Sequence, residues 1–249
     1  MKRTLIIPII LLFLSGISCQ KAESVSPDFK CDKSAKITKQ SFGDLGMVIE
    51  YSNGKISKVY RTDGKGLIEN YKYPTDTTLL ITRNFADGSI GNTFNVILNK
   101  QGFIKKLATD GYTNLYTYDV NGFKNAVTNT YTDAALSSNS TFVYSNGNLT
   151  QEKNFKKNVL QYTVDYTYYE DKANKVDLVN NQNRPDLYGA FSKNLVKTIK
   201  YTYADKSVEM YEYTYDLNAN GFVKSLTEKY TDKTGALTSQ NNAFEYICL

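Results

Sequence analysis

The sequence predicts an all-β fold: an antiparallel meander of about 12–16 strands that forms a curved sheet or barrel-like domain built from repeated hairpins. Three observations support this prediction. A tyrosine-rich unit recurs along the chain, turn signals return about every ten residues, and apolar and polar residues alternate between the turns. No stretch between turns shows the 3.6-residue period of an amphipathic helix, so helix is expected only in the signal segment at the start of the chain.

The recurring unit is an alternating aromatic strand, an Asn-Gly pair and a second strand that begins with an apolar residue. It is most complete in Tyr116–Phe123 and Tyr213–Phe222, and shorter in Tyr51–Ile56 and Tyr144–Leu149. A two-residue hairpin turn of type I′ needs positive φ at both central positions, which Asn and Gly tolerate best. The unit therefore predicts hairpins with type I′ turns.

Turn signals divide the chain from Lys36 onwards into segments of strand length. Such regular spacing is typical of an all-β sandwich, barrel or meander. The signals are Asn53-Gly54, Asp63-Gly64, Asp87-Gly88, Gln101-Gly102, Asp110-Gly111, Asn121-Gly122, Asn146-Gly147, Asp171-Lys172, Asp205-Lys206, Asn220-Gly221 and Thr234-Gly235.

The segments between turns have one apolar and one polar face. In residues 211–217, for example, Tyr and Leu alternate with Glu, Thr and Asp. Sheets of this kind are typically antiparallel, with one face solvated. Because side chains cannot fill a closed barrel of about 16 strands, we expect a sheet that flattens, stays open or encloses a cavity.

Residues 1–18 have the features of a lipoprotein signal peptide. A basic start is followed by about ten apolar residues, too few to span a bilayer as a helix. Gly16 and Ser18 then precede Cys19, which resembles the lipobox of bacterial lipoproteins, whose cysteine is acylated and becomes the new N-terminus. Gly16 stands where that pattern usually has leucine, so a secretory signal with a coincidental cysteine remains the alternative.

The rest of the chain is expected to contain a tether and one domain. Residues 19–35 are predicted to hold the lipidated Cys19 and a polar tether, and residues 36–249 to form a single all-β repeat domain. Cys31 and Cys248 then lie near the two ends of the domain, in a compartment where disulfides persist. A Cys31–Cys248 disulfide and two free, half-buried thiols are the two interpretations, of which we favour the disulfide.

Composition argues against several functional classes. The sequence contains no histidine, which removes Ser-His-Asp triads, His-ligated zinc and the usual general base near neutral pH. A pair of carboxylates acting as a glycosidase is the catalytic alternative left open. The formal net charge of +5 is spread along the chain without a basic cluster. We expect a non-enzyme that has no nucleic-acid partner.

One long connection between the predicted strands, residues 177–194, has no repeat pattern. Such loops are uncommon and often functional. One interpretation is a polar ligand-binding patch, and the other is a lid or plug packed over one end of the sheet. The candidate binding residues are Arg184, Asp186, Tyr188, Ser192, Lys193 and Asn194.

A second candidate site lies in the last complete repeat. Asp216, Asn218 and Asn220 have the spacing that begins an oxygen-rich calcium loop. The position for the closing glutamate holds Thr227, however, and Glu228 comes one residue late. We expect no cofactor, with weak calcium binding as the alternative to a plain hairpin turn.

The Tyr-x-Tyr-Asp…Gly-Phe units resemble the YD-type repeats of bacterial surface proteins. Most of the mature chain also resembles a Bacteroidetes family of secreted domains of unknown function with a porin-like β fold. Gly189–Val196, the following strand Ile199–Tyr203, the lipobox and the ending Phe244–Cys248 carry this second resemblance. The resemblance implies a barrel-like antiparallel sheet and no particular activity.

These features predict a lipid-anchored protein of the cell envelope, in the outer membrane and facing the periplasm or the surface. The favoured function is a non-catalytic binding module for a glycan, a lipid or another small ligand. The alternative is a structural or adaptor lipoprotein that binds another envelope protein. A concave cleft lined by tyrosines would support the first function, and a flat exposed apolar patch the second.

Overall fold

The computed structural model describes residues 23–24, 31, 35–42, 45–176 and 186–249. The predicted signal peptide, Cys19 and Arg184 lie outside the described residues. Seventeen β-strands are assigned within them. They are β1 (Glu23–Ser24), β2 (Ala35–Phe42), β3 (Leu45–Ser52), β4 (Lys55–Arg61), β5 (Leu67–Thr75), β6 (Thr78–Phe85), β7 (Ile90–Leu98), β8 (Ile104–Thr109), β9 (Tyr112–Tyr118), β10 (Lys124–Tyr131), β11 (Ser138–Ser145), β12 (Asn148–Lys156), β13 (Val159–Ala173), β14 (Asn194–Tyr203), β15 (Val208–Leu217), β16 (Val223–Thr231) and β17 (Leu237–Cys248).

Strands β2 to β17 form a closed antiparallel barrel of 16 strands. Each strand pairs with the next along the chain, and β17 pairs with β2 to complete the circle. Phe244 of β17 lies opposite Gln40 of β2 at this closure. The predicted all-β meander of hairpins is confirmed, and the sheet closes into a barrel. The two-residue β1, within the predicted tether, pairs with Tyr246 and Glu245 of β17.

Helix is almost absent from the described part of the chain. A single 3-10 turn, Ala134–Leu136, connects β10 to β11, and the Asp133 side chain caps it by accepting a hydrogen bond from the Ala135 N–H. The expectation that helix is confined to the signal segment missed this turn. None of the described residues forms a helix long and apolar enough to cross a membrane.

The predicted turn type is correct for the shorter repeats. Asn53 and Gly54 have φ values of 51° and 73°, and Asn146 and Gly147 have values of 52° and 79°. Both pairs therefore satisfy the requirement of a type I′ turn for two successive positive φ angles. Here the local Asn-Gly signal alone determines the turn.

The predicted turn type is wrong for the two most complete repeats. At Asn121-Gly122 and Asn220-Gly221 only the glycine has positive φ. The Asp119 N–H donates to the Phe123 carbonyl at 2.9 Å, leaving a loop of three residues. Such loops combine a type I turn with a final glycine in a bulge. The Asp119 Oδ1 atom stabilises the loop by accepting from the N–H groups of Asn121 and Phe123, each at 2.9 Å.

The remaining turn signals fall between strands, with one exception. Asp171-Lys172 lies inside β13, which continues to Ala173. Pairing of Ala173 with Asn194 of β14 extends this strand past the predicted turn. Strand pairing thus outweighs the local turn preference of these two polar residues.

The inward side chains form one contiguous apolar core. It includes residues from nearly every strand, and Ile81, Ile104, Val164 and Tyr246 are 0% exposed. The interior also holds a charged pair, in which the Arg83 Nε–H group donates to Glu69 Oε1 at 2.7 Å. Side chains therefore fill much of the interior, although a barrel of 16 strands is expected to have an open channel.

The outward side chains are mainly polar and pair across neighbouring strands. The Thr167 and Thr198 hydroxyl oxygens are 2.7 Å apart, and Lys224 Nζ lies 2.8 Å from Asp216 Oδ2. This is the expected pattern for strands with one buried and one solvated face.

The two ends of the barrel differ. At one end, which we call the plugged end, lie the turns at 53–54, 76–77, 99–103, 119–123, 146–147 and 218–222 and the described residues of the β13–β14 connection, 174–176 and 186–193. At the other, which we call the opposite end, lie the turns at 62–66, 86–89, 110–111, 132–137, 157–158, 204–207 and 232–236. The two ends differ because residues 186–193 of the β13–β14 connection fold inward, with Leu187 and Ser192 buried.

Candidate functional site

Residues 186–193 of the β13–β14 connection, which we call the plug, lie at the plugged end and are hydrogen-bonded to three neighbouring segments. The Ile104 N–H donates to the Leu187 carbonyl at 2.8 Å, and the Ala190 N–H donates to the Gly122 carbonyl at 2.8 Å. The Lys193 N–H donates to the Gly147 carbonyl at 2.9 Å. Leu187 is buried in the core. The described residues of the predicted loop are thus packed against one end of the sheet, and residues 177–185 lie outside the described residues.

The predicted polar patch is therefore distributed over the plug. Asp186 Oδ2 lies 2.7 Å from Lys36 Nζ on the exposed side. Lys193 is also exposed. Asn194 exchanges hydrogen bonds with Asn148, its N–H donating to Asn148 Oδ1 at 2.9 Å. These three candidates have separate structural contacts and do not form a common pocket.

Ser192 and Tyr188 point towards the interior. Ser192 is 3% exposed, and its Oγ accepts from the Leu149 N–H at 3.1 Å and lies 2.9 Å from the Tyr168 hydroxyl. The Tyr188 ring packs against Tyr116, with ring centroids 5.5 Å apart. Both residues line a cavity inside the barrel, so two of the six candidates belong to one site.

This cavity has a volume of about 300 Å³ and is walled mainly by aromatic side chains. Residues of the plug form part of its boundary, and inward residues of β10 to β15 form the rest. The lining residues are Lys124, Phe142, Tyr144, Leu149, Glu152, Tyr166, Tyr188, Ala190, Phe191, Ser192, Ile199, Tyr201, Tyr211 and Tyr213.

Glu152 is the carboxylate of the cavity lining. Burial raises the pKa of its carboxyl group above the ordinary value. The Lys124 ammonium and hydrogen bonds with the Ser140 and Tyr166 side chains lower this pKa in part. The site thus holds an acidic group that is incompletely stabilised in its charged form.

The tyrosines around Glu152 are affected by its charge. Burial, followed by the negative charge of Glu152, raises the pKa of the Tyr166 and Tyr201 hydroxyls. The same two causes raise the pKa of Tyr162. These hydroxyl groups remain protonated at neutral pH and can donate hydrogen bonds to a ligand or to the carboxylate.

Two further carboxylates lie beside tyrosines of the same wall. Glu209 Oε2 accepts from the Tyr203 hydroxyl at 2.8 Å. Glu228 lies opposite Tyr213 across the β15–β16 pair, and burial and the Glu228 charge raise the pKa of the Tyr213 hydroxyl. Burial and Glu209 together raise the pKa of Tyr203 to about 12. Acidic groups next to protonated tyrosines are therefore a repeated feature of β12 to β16.

The chemical centre of the cavity was missed by sequence reasoning. In β12, Leu149 faces inward, and simple alternation would place Gln151 inward and Glu152 outward. A register shift opposite Val143 and Tyr144 adds one residue to β12 and reverses this order, so that Glu152 lies opposite Phe142. Only knowledge of this bulge would have placed Glu152 in the interior.

Two of the three predicted calcium ligands have other partners. Asp216 lies on the outer face, paired with Lys224. Asn218 Oδ1 accepts from the N–H groups of Asn220 at 2.9 Å and Phe222 at 3.0 Å, as Asp119 does in its own turn. Within the described ranges, no group of three or more His, Cys, Asp or Glu side chains is placed to hold a metal ion.

Cys31 and Cys248 are joined by a disulfide, with Cα atoms 5.5 Å apart. Cys248 lies opposite Ala35, so the bond stands where β17 meets the start of β2. It links two residues 217 positions apart in the sequence at the closure of the barrel, on the plugged end.

Comparison with solved structures places this architecture among porin-like folds. The chain is similar to a porin-like protein from Bacteroides uniformis, with a TM-score of 0.63 and 16% identity, over 85% of this chain and 96% of that one. It is also similar to a porin-like protein from Bacteroides vulgatus, with a TM-score of 0.50 and 14% identity, over 88% of this chain and all of the other. No protein-family model and no curated protein matches the sequence. The porin-like β fold implied by the sequence resemblance is confirmed.

Proposed function

We propose that this protein is a lipid-anchored module of the cell envelope that binds a small ligand in the cavity of its barrel and does not catalyse a reaction. The observation that carries the proposal is the cavity itself, bounded by aromatic rings and holding a few polar groups. Ligand sites are typically concave and apolar, with a small number of placed polar groups and volumes of about 300–1,000 Å³. The volume of about 300 Å³ suits a ligand of a few chemical groups, such as a single sugar ring.

The arrangement of the cavity favours binding over catalysis. Glu152 and Lys124 are the charged groups of the lining. A glycosidase needs two carboxyl groups on either side of the scissile bond, about 5–9.5 Å apart. The other acidic groups of this wall, Glu209 and Glu228, do not line the cavity, and Glu209 accepts a hydrogen bond from Tyr203. The tyrosine rings supply flat apolar surfaces suited to holding a ligand.

The polarity of the barrel supports anchoring by lipid at the membrane surface. A barrel that spans a membrane presents an apolar band to the lipid and a polar interior. The described strands have the reverse arrangement, with apolar residues inside and charged pairs such as Lys224–Asp216 outside. Acylation at Cys19 would hold such a domain at a membrane without spanning it.

Ligand binding can be tested by thermal unfolding of the mature protein with a panel of monosaccharides, short glycans and small lipids. A ligand at 100 times its Kd should stabilise the protein by about 2.7 kcal/mol. Tyr201→Leu, which removes a ring from the cavity, should abolish the shift, and Tyr60→Leu on the outer face should retain it. If no ligand class moves the midpoint, the binding proposal fails. Fractionation of Cys19→Ala tests the anchor, since this variant should leave the membrane fraction.

A second candidate function, an adaptor for another envelope protein, is supported by a different observation. Large apolar side chains are exposed around the opposite end of the barrel, and Ile90 is 78% exposed. They are Leu45, Leu67, Phe85, Ile90, Leu136, Val159, Leu160, Val208 and Leu237. A photo-crosslinking residue at position 90 or 237 should then give one discrete adduct in cells, and position 212 on the outer face should give none. Equal labelling at all three positions would exclude this function.

A further inference from the structure

We propose that the cavity selects ligands that carry an organic ammonium group, bound jointly by the tyrosine rings and the Glu152 carboxylate. This inference rests on the proposed binding function and names the chemical class of the ligand. Aromatic faces combined with a carboxylate are the features that recognise ammonium ions, because the ring quadrupole and the carboxylate charge attract the same cation.

The register of the sheet places acidic groups on both sides of a central tyrosine. Glu152 lies opposite Val164, Val164 lies opposite Tyr201, and Tyr201 lies opposite Glu209. These residues therefore form one row across β12 to β15. A ligand resting on the Tyr201 ring lies between two carboxylates, one of which lines the cavity.

The protein's own ammonium groups already use this wall in the same way. Lys124 Nζ lies 4.3 Å from the centroid of the Phe142 ring, inside the cavity. Lys233 Nζ lies 3.3 Å from the centroid of the Tyr203 ring, whose hydroxyl is bonded to Glu209. Each contact combines a cation, an aromatic face and a nearby carboxylate, which is the combination proposed for the ligand.

Lys124 lies on one side of the Glu152 carboxylate and leaves the tyrosine side available to a cationic ligand. It approaches from β10, on the side of Phe142. On the other side, β12 pairs with β13 and β13 with β14, which carry Tyr162, Tyr166 and Tyr201. The Glu152 charge helps to raise the pKa of these tyrosines, after burial. A cationic ligand against these tyrosines gains from the charge of Glu152, whereas a neutral ligand of the same shape gains only from contact with the rings.

Two matched pairs of probes test the proposal on the mature protein by calorimetry. Choline is compared with 3,3-dimethyl-1-butanol, its neutral isostere, and glucosamine is compared with glucose. We expect the cation to bind at least about tenfold more tightly than its neutral partner in one pair. Glu152→Gln should remove most of this preference, and Glu212→Gln, on the exposed outer face, should leave it unchanged.

A second substitution separates the ring from the hydroxyl group. Tyr201→Phe should retain the preference for the cation, because the aromatic face remains, and Tyr201→Leu should lose it. The midpoint of thermal unfolding of each variant shows whether it is folded. Equal affinity for the two members of both pairs, or a preference that persists in folded Glu152→Gln, overturns the ammonium proposal.

The binding data distinguish the loss of ammonium selectivity from the absence of any ligand site. If neutral sugars or lipids bind and neither cation binds better, the cavity is a ligand site and only the ammonium assignment is wrong. If no cation and no member of the neutral panel binds, both are wrong.

Discussion

The Tyr215 hydroxyl donates a hydrogen bond of 2.8 Å to the carbonyl oxygen of Val196 on the preceding strand. Equivalent bonds recur around the plugged end of the barrel. Each joins a tyrosine near the end of one strand to a carbonyl near the start of the strand before it. The other pairs are Tyr51 with Ile37, Tyr118 with Ile104, Tyr168 with Leu149, and Tyr246 with Val223.

These bonds explain why tyrosine, and not phenylalanine, dominates the repeat. The ring fills the interior, where Tyr246 is 0% exposed, and the hydroxyl donates to a backbone carbonyl of the preceding strand, which phenylalanine could not do.

Replacing one of these tyrosines by phenylalanine should destabilise the barrel measurably. Tyr215→Phe keeps the ring and removes the hydrogen bond to the Val196 carbonyl, which we expect to cost about 1–2 kcal/mol. For a chain of this size, that cost lowers the thermal midpoint by about 2–8 °C. Tyr131→Phe is the matched control, since this half-buried ring packs against Tyr112 at a centroid distance of 5.4 Å. Equal midpoints for wild type and Tyr215→Phe would show that the bond does not contribute.

The fold was predictable because its signals are local and repeated. Asn-Gly pairs, alternating tyrosines and regular spacing each indicate a hairpin, and a chain of successive hairpins gives a meander. Closure of the sheet into a barrel could not be predicted from local signals, since it depends on pairing between distant residues such as Phe244 and Gln40. The turn type at Asn121-Gly122 was missed because Asp119, one of the flanking residues, decides the loop length.

The plug contains a glycine, Gly189, that has no room for a side chain because the backbone of Gly122 lies against it. Gly189 has a φ of 101°, and a Cβ atom there would lie 2.6 Å from the Gly122 carbonyl oxygen. Gly189→Ala combines this clash with backbone strain of about 1–3 kcal/mol, so we expect it to displace the plug. In the wild type the Ala190 and Lys193 amides donate to the Gly122 and Gly147 carbonyls. Hydrogen-exchange measurements should show that both amides exchange faster in the variant.

A second glycine serves as the control for that substitution. Gly235 also has positive φ, at 86°, but a Cβ atom there would meet nothing within 4 Å. Gly235→Ala should therefore show the strain alone, with the plug amides still protected. If both variants expose the plug equally, the close approach of Gly189 to Gly122 is not what holds it.

The candidate site was less predictable than the fold. The long connection was recognised by its length and lack of repeat, and Tyr188 and Ser192 do line the cavity. Glu152, by contrast, needed a one-residue bulge to turn inward, and Tyr201 looked like any other tyrosine of an alternating strand. The residues that line the cavity come from six strands, so the lining depends on how those strands are aligned with one another. This alignment could not be predicted from the sequence.

The disulfide should be the largest single contribution to stability. In the chain-entropy model, a bond closing a loop of 217 residues stabilises the folded state by on the order of 5 kcal/mol. We expect Cys31→Ser with Cys248→Ser to lower the thermal midpoint by about 10–20 °C. Reduction of the wild type should give the same shift, and reductant should have no further effect on the double variant. Identical midpoints with and without the bond would contradict the prediction.

Glu152 should make stability depend on pH in a direction opposite to that of most carboxylates. The groups that face it are Lys124, Ser140, Tyr162, Tyr166 and Tyr201. Burial, the largest effect, raises its pKa above the ordinary value of 4.5. Between these two values the folded protein binds more protons than the unfolded chain, so the free energy of unfolding falls as the pH rises. The loss is complete once the pH exceeds the raised pKa.

Glu152→Gln removes this titration and should reveal it by difference. We expect the variant to gain stability relative to the wild type as the pH rises from 4 to 7, and the difference to become constant above the raised pKa. Urea unfolding at each pH measures it, with Glu212→Gln on the exposed outer face as the control. A difference that shrinks with rising pH would mean that Lys124 and the hydroxyl groups stabilise the charged carboxylate more than burial destabilises it. The acidic group would then be fully paired within the protein, and its attraction for a cationic ligand would be correspondingly weaker.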